Sequence, residues 1–196
     1  MTGLETAIIL IAFVTVAAVF GYAVLSAGLY SAERGKETVY AGLNEAKSNM
    51  ELSGSVIGIG DNVTYYPINM LGIIKFTVKN AIAGNPIDMT PNVDSTLHQN
   101  KCVISLKTKI DYINNVQWTF VPVGTDNGNN LLETGEQFEI TIDINDLTPS
   151  GGALTIPTGL IQANDTFTLE VKPALGSTIT VQRQMPPAIE PVMDLH

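Results

Sequence analysis

Residues 6–32 read TAIILIAFVTVAAVFGYAVLSAGLYSA, a run of 27 positions without an acidic or basic side chain. Glu5 precedes it, Glu33 follows it, and all ten Lys and Arg lie beyond it. About 20 apolar residues span a bilayer, so the run is long enough to cross one. It also accounts for the composition of the 196-residue chain, which is 45% hydrophobic and only 15% charged. An ordinary enzyme with its core spread along the sequence does not concentrate its apolar residues at one end. The run requires a membrane, an assembly, or both.

A secretory signal has a basic start, a short apolar core and a small-residue cleavage site. Here no Lys or Arg precedes the apolar residues, and the sequence passes through Glu33-Arg34-Gly35-Lys36-Glu37 into further helix-compatible residues as far as Met50. The expectation is one continuous helix from near Thr2 to near Asn49. At 1.5 Å per residue it is about 70–75 Å long, far more than the thickness of a bilayer.

Gly21, Gly28, Gly35 and Gly42 recur every seventh residue along it. Each costs about 1 kcal/mol of helix propensity relative to Ala, and a heptad brings a helix back to nearly the same azimuth. Four such costs in register point to a groove for a neighbouring helix, as at small-residue interfaces in apolar surroundings. The competing reading is a lone membrane anchor with unrelated glycines, which gives no reason for the spacing to continue into the charged half. Glu5 needs a partner or a proton if it is buried in an apolar bundle. An α-amino terminus, its own or a neighbour's, would supply the charge. Alternatively Glu5 sits solvated at the helix start, where it favours the macrodipole.

After Met50 the pattern changes to short alternating or β-branched runs between Gly, Asn, Asp and Pro. Strands are expected at residues 55–59, 73–79, 101–107, 116–123, 137–143, 166–172 and 178–183. This predicts an α+β chain: a long N-terminal helix over residues 1–50, then an antiparallel, immunoglobulin-like β-sandwich head over 51–196. The helix is expected to feed directly into the first strand. From Glu51 onward 15 acidic residues face 7 basic ones, a balance that favours solubility. It argues against nucleic acid, which requires a basic stripe.

Catalytic and metal motifs are sparse. His98 and His196 belong to no nucleophile or metal-ligand pattern. The single cysteine, Cys102, precludes an internal disulfide and reads as a small buried hydrophobe. Residues 125–136 can be aligned with a twelve-residue calcium loop. Thr125, Asn127, Asn129, the Leu131 carbonyl, Glu133 and Glu136 then fall at ligand positions. Thr125 stands where Asp is usual, with Asp126 one place late, and Asn130 replaces the turn glycine; an Asn/Gly-rich hairpin loop is the alternative. No cofactor is required, and calcium is the one candidate ion. The sequons Asn62-Val63-Thr64 and Asn164-Asp165-Thr166 mark Asn62 and Asn164 as candidate N-glycosylation sites.

Met1-Thr2-Gly3-Leu4-Glu5 followed by an apolar helix resembles the mature start of type IV pilin-like proteins, and among them the archaellins, the archaeal flagellins. The blocks Phe167-Thr168-Leu169-Glu170-Val171-Lys172-Pro173, Thr178-Ile179-Thr180-Val181-Gln182-Arg183 and Pro186-Pro187-Ala188-Ile189-Glu190-Pro191-Val192-Met193-Asp194-Leu195 are similar to archaellin C-termini. The resemblance implies a precursor whose short basic leader is removed by a prepilin peptidase. It implies a membrane-held subunit that then assembles with other copies, or with a second archaellin, into a helical filament. Packed N-terminal helices would form the filament core and the heads its outer surface. A membrane-embedded ATPase motor would rotate this archaellum for swimming, and the filament protein itself would catalyse nothing. Heads in the family are often glycosylated, and Glu5 matches the pilin position implicated in recruitment and in pairing with an N-terminal amine. The rival functions are a non-rotating adhesive pilus subunit and a membrane-anchored sandwich ectodomain.

Overall fold

The computed structural model describes residues 3–61, 70–82, 84–93, 99–144 and 161–195. Among these residues there is one helix, α1, Gly3–Lys47. These 45 residues rise about 68 Å at 1.5 Å each. Eleven strands follow: β1 Met50–Asp61, β2 Met70–Asn80, β3 Ile87–Asp88, β4 Val103–Lys107, β5 Tyr112–Ile113, β6 Thr119–Pro122, β7 Leu131–Leu132, β8 Gln137–Asp143, β9 Thr166–Lys172, β10 Ile179–Gln184 and β11 Met193–Leu195. The chain divides into two compact units, Met1–Leu43 and Asn44–His196. The second unit takes in the last helical turn as well as the strands, and the loops after β2 and β9 are hydrogen-bonded to that turn as described below.

The head contains a five-stranded sheet, ordered β11-β1-β2-β8-β6, and a four-stranded sheet, ordered β10-β9-β4-β5. A small ladder pairs β3 with β7, and every strand pairing is antiparallel. Alternation explains how the core forms. In β8, Phe138, Ile140 and Ile142 are buried while Gln137, Glu139 and Thr141 are half-exposed. In β9, Phe167, Leu169 and Val171 are buried between half-exposed neighbours. A period of two places every second side chain on one face. These faces join Ile74, Phe76 and Val78 of β2 and Ile104 and Leu106 of β4 in one cluster. Phe120 stacks on Phe138 at 4.5 Å between ring centroids. The outward face carries cross-strand ion pairs, Lys79–Glu51 at 2.8 Å and Lys75–Glu139 at 2.9 Å. Their partial exposure limits each to about 1 kcal/mol.

All seven expected strands are present, and the helix enters β1 through only Ser48 and Asn49. The run expected at 116–123 contracts to Thr119–Pro122 for a definite reason. Asn115 turns the chain with φ 55. Val116 N–H then donates to Ile104 O in one sheet, and Val123 N–H donates to Gln137 O in the other. Residues 116–118 are the crossing between layers, with Trp118 buried beneath it.

Three of the four outer edges of the two larger sheets are short or blunted. β11 has three residues and β5 two. On β6 the Val123–Gln137 bond and the register Val121↔Glu139 turn alternate residues toward β8, leaving 118, 120 and 122 facing outward. Trp118 N–H is taken by Asn92 O at 3.1 Å, and Pro122 has no N–H. At most one outward donor, that of Phe120, remains on this edge.

Candidate assembly surface

Helix α1 is apolar on every side as far as Ala32. Leu4, Ile8, Ile9, Leu10, Ile11, Phe13 and Val14 are all exposed, covering every azimuth within three turns, and no residue of α1 is buried. It is long and apolar enough to cross a membrane. A helix apolar all round needs lipid or other helices about it. Its polar side chains suit such surroundings, since the Thr6 and Thr15 hydroxyls donate back to Gly3 O and Ala12 O at 3.0 and 2.9 Å. Beyond Ala32 the surface changes. Arg34 pairs with Glu37 at 2.7 Å and lies 5.5 Å from the Tyr30 ring centroid, while Lys36 lies 5.6 Å from that of Tyr40. Val39, Tyr40 and Leu43 keep one apolar stripe there.

A Cβ added at Gly21, Gly28, Gly35 or Gly42 would meet nothing within 4 Å. Nothing among the described residues therefore asks for glycine at these positions. Glu5 lies exposed in the first helical turn. Its expected amine partner on Met1 falls outside the described residues.

The C-terminal end of α1 is clasped by two loops, a feature the sequence reading missed. Ser48 N–H donates to Asn44 O at 3.1 Å, and its hydroxyl donates to the same carbonyl at 2.9 Å. From the loop after β2, Ala81 N–H donates to Asn49 O at 2.9 Å and Asn85 Nδ2 to Asn44 Oδ1 at 3.3 Å. From the loop after β9, Gly176 N–H donates to Glu45 Oε1 at 3.1 Å and Ser177 N–H to Asn49 Oδ1 at 2.8 Å. Both loops approach through glycine. A Cβ on Gly84 would lie 2.5 Å from Lys47 O, and one on Gly176, whose φ is +100°, would collide with Ser48 O. Turn signals at Gly84-Asn85-Pro86 and Pro173–Gly176 are readable in the sequence; their common target at Ser48 and Asn49 is not.

The Thr125–Glu136 loop closes on itself. Asn127 Oδ1 accepts Asn129 N–H at 3.1 Å, Asn129 Oδ1 accepts Leu131 N–H at 2.7 Å, and Glu136 Oε2 accepts Glu133 N–H at 3.0 Å. Asn127 Nδ2 donates to Glu133 Oε2 at 3.1 Å, and Asp126, one place past the expected first ligand, accepts Gly128 N–H at 3.0 Å. Thr125 is exposed at the loop's start. Among the described residues no three His, Cys, Asp or Glu side chains gather as a metal set. Asn164 is exposed in a turn, with φ 64. Asn62, His98 and His196 lie outside the described residues. Cys102 is buried, and burial first, the charge of Asp88 second, pushes its thiol up to about 12.

The family described as archaeal-type flagellin matches residues 1–183. The chain is similar to "Probable flagellin 1" of Archaeoglobus fulgidus, 35% identical across 99% of this chain and 93% of that one. Among solved structures it is similar to the archaeal flagellum of Methanospirillum hungatei strain JF1, with TM-score 0.67 and 26% identity, covering 100% of this chain and 99% of that one. It shares its fold with the archaeal flagellin FlaB1 of Methanocaldococcus jannaschii, with TM-score 0.56 and 10% identity, over 74% of this chain and 95% of that one. The chain belongs to the archaeal-type flagellin family and is a structural subunit of the archaellum, an extracellular filament on the cell surface.

Proposed function

We propose that α1 is the polymerising element of this archaellum subunit. Thr6–Ala32 holds the chain in the membrane first and is then passed to other copies of the chain, or to a second archaellin, as the core of a helical filament. Residues 1–50 make that core and residues 51–196 its outer surface. The observation that carries this reading is a 45-residue helix with no buried residue, apolar on every side as far as Ala32. Lipid and neighbouring helices satisfy that surface equally. Gly21, Gly28, Gly35 and Gly42 supply the groove for close approach, and Glu5 fixes axial register by pairing with a terminal amine.

The remaining partners follow from the same reading: a prepilin peptidase acting on a precursor, and the assembly and motor machinery that rotates the filament for swimming. The subunit has no catalytic role and no nucleic-acid partner. Asn62 and Asn164 carry glycans, and the role of calcium bound at the Thr125–Glu136 loop would be to stiffen it. The test is electron microscopy of filaments sheared from native cells, with mass spectrometry of their protein and helical reconstruction. Filaments of this chain with the glycine positions at helix–helix contacts support the proposal. Recovery only with the cell membrane would replace it with an anchored ectodomain. Normal swimming by a deletion strain that has lost surface attachment would make it an adhesive pilus subunit.

A further inference from the structure

Asn127-Gly128 is the one Asn-Gly pair in the sequence, and both residues are exposed. Such a pair is chemically labile. The Gly128 nitrogen attacks Asn127 Cγ, an N–Cγ bond forms, and the Cγ–Nδ2 bond breaks. The proton lost by Gly128 leaves with Nδ2 as ammonia. Water then opens the resulting succinimide to aspartate or isoaspartate. Glycine favours the reaction because no side chain hinders its nitrogen.

Every group in that step is held elsewhere. The nucleophile, Gly128 N–H, donates to Asp126 Oδ2 at 3.0 Å. The leaving group, Asn127 Nδ2, donates to Glu133 Oε2 at 3.1 Å, and Asn127 Oδ1 accepts Asn129 N–H at 3.1 Å. The second oxygen of Asp126 is shielded and has no hydrogen-bond partner among the described residues, so Gly128 is the bond its carboxylate makes there. Ring closure rotates the 127–128 peptide and the Asn127 side chain, and so breaks these contacts.

We infer that Asp126 and Glu133 are a brake on succinimide formation at Asn127, making this loop the chain's guarded ageing site. The inference does not depend on calcium. It gives these two acids a role that holds with the loop empty.

The experiment ages the full chain in detergent in mildly alkaline buffer. Peptide mapping by mass spectrometry, with isoaspartate detection, then follows Asn127 in the parent, Asp126→Ala and Glu133→Ala. One net hydrogen bond corresponds to about a fivefold change in an equilibrium, so each variant should form isoaspartate at Asn127 about fivefold faster. Hydrogen exchange at the Gly128 amide should accelerate in Asp126→Ala while β8 and β9 amides stay as protected as in the parent, which separates loss of the bond from loss of fold. Unchanged Asn127 kinetics in both variants would overturn the inference. So would slower reaction in Asp126→Ala, because the carboxylate would then be drawing the proton off Gly128.

Discussion

Gly176→Ala tests the clasp at the end of α1. A non-glycine residue at φ +100° carries about 1–3 kcal/mol of backbone strain. The new methyl also collides with Ser48 O, so the loop must retreat from the helix end. Retreat loosens the Gly176–Glu45 and Ser177–Asn49 bonds, each worth about 0.5–1.5 kcal/mol. The sum is about 2–6 kcal/mol. For a head of this size 1 kcal/mol moves the melting midpoint by about 2–4 °C, so a loss of about 8–16 °C is expected at the middle of the range. The assay is thermal melting, by circular dichroism, of a fragment covering 44–196. Gly124→Ala is the control: its φ is +90°, yet an added Cβ there meets nothing within 4 Å. It should show the backbone strain alone. Equal midpoints for the two variants would refute the clasp.

Three further outcomes are expected. Gly28→Leu and Gly35→Leu should abolish filament assembly while leaving the melting of the head unchanged, because no atom of the described residues fills the space a Cβ would take at either position; normal filaments would remove the groove. Glu5→Gln should reduce filament yield and stability, and sheared filaments of parental yield and heat resistance would show that the charge is dispensable. The Cys102 thiol, raised by burial from 9.0 to about 12, is neutral in the folded head while the unfolded thiol ionises. Its contribution is therefore complete below pH 9 and is lost as pH rises through 12. The parental head should lose melting temperature across that window, and Cys102→Ala should flatten the fall; parallel curves would contradict the assignment.

What could be read in advance follows the range of the interactions. Helix α1 and the strands at 73–79, 137–143 and 166–172 announce themselves through local periodicity, which one stretch of chain carries by itself. β3, β5 and β7 have two residues each, and no period fits in two residues. The clasp joins Glu45 to Gly176 and Asn49 to Ser177 across 131 and 128 positions. Only folding makes those pairs neighbours. The calcium-like spacing was legible, but side-chain oxygens counted as ligands can equally accept nearby N–H groups, and that competition is invisible in a linear pattern. The glycine heptads are a different case. Their register is plain in the sequence, while what they accommodate belongs to another molecule.

The blunted edge of β6 bears on how crowded heads behave. A bare strand edge invites another to zip onto it, and that is how β-rich proteins gel. Here Pro122 and the bond to Asn92 O remove two of three outward donors, while β5 and β11 are too short to template a neighbour. On three of the four outer edges, neighbouring heads meet side chains in place of open backbone. Edge-to-edge pairing between heads is thereby confined to β10, the one outer edge of the two larger sheets that is both long and open.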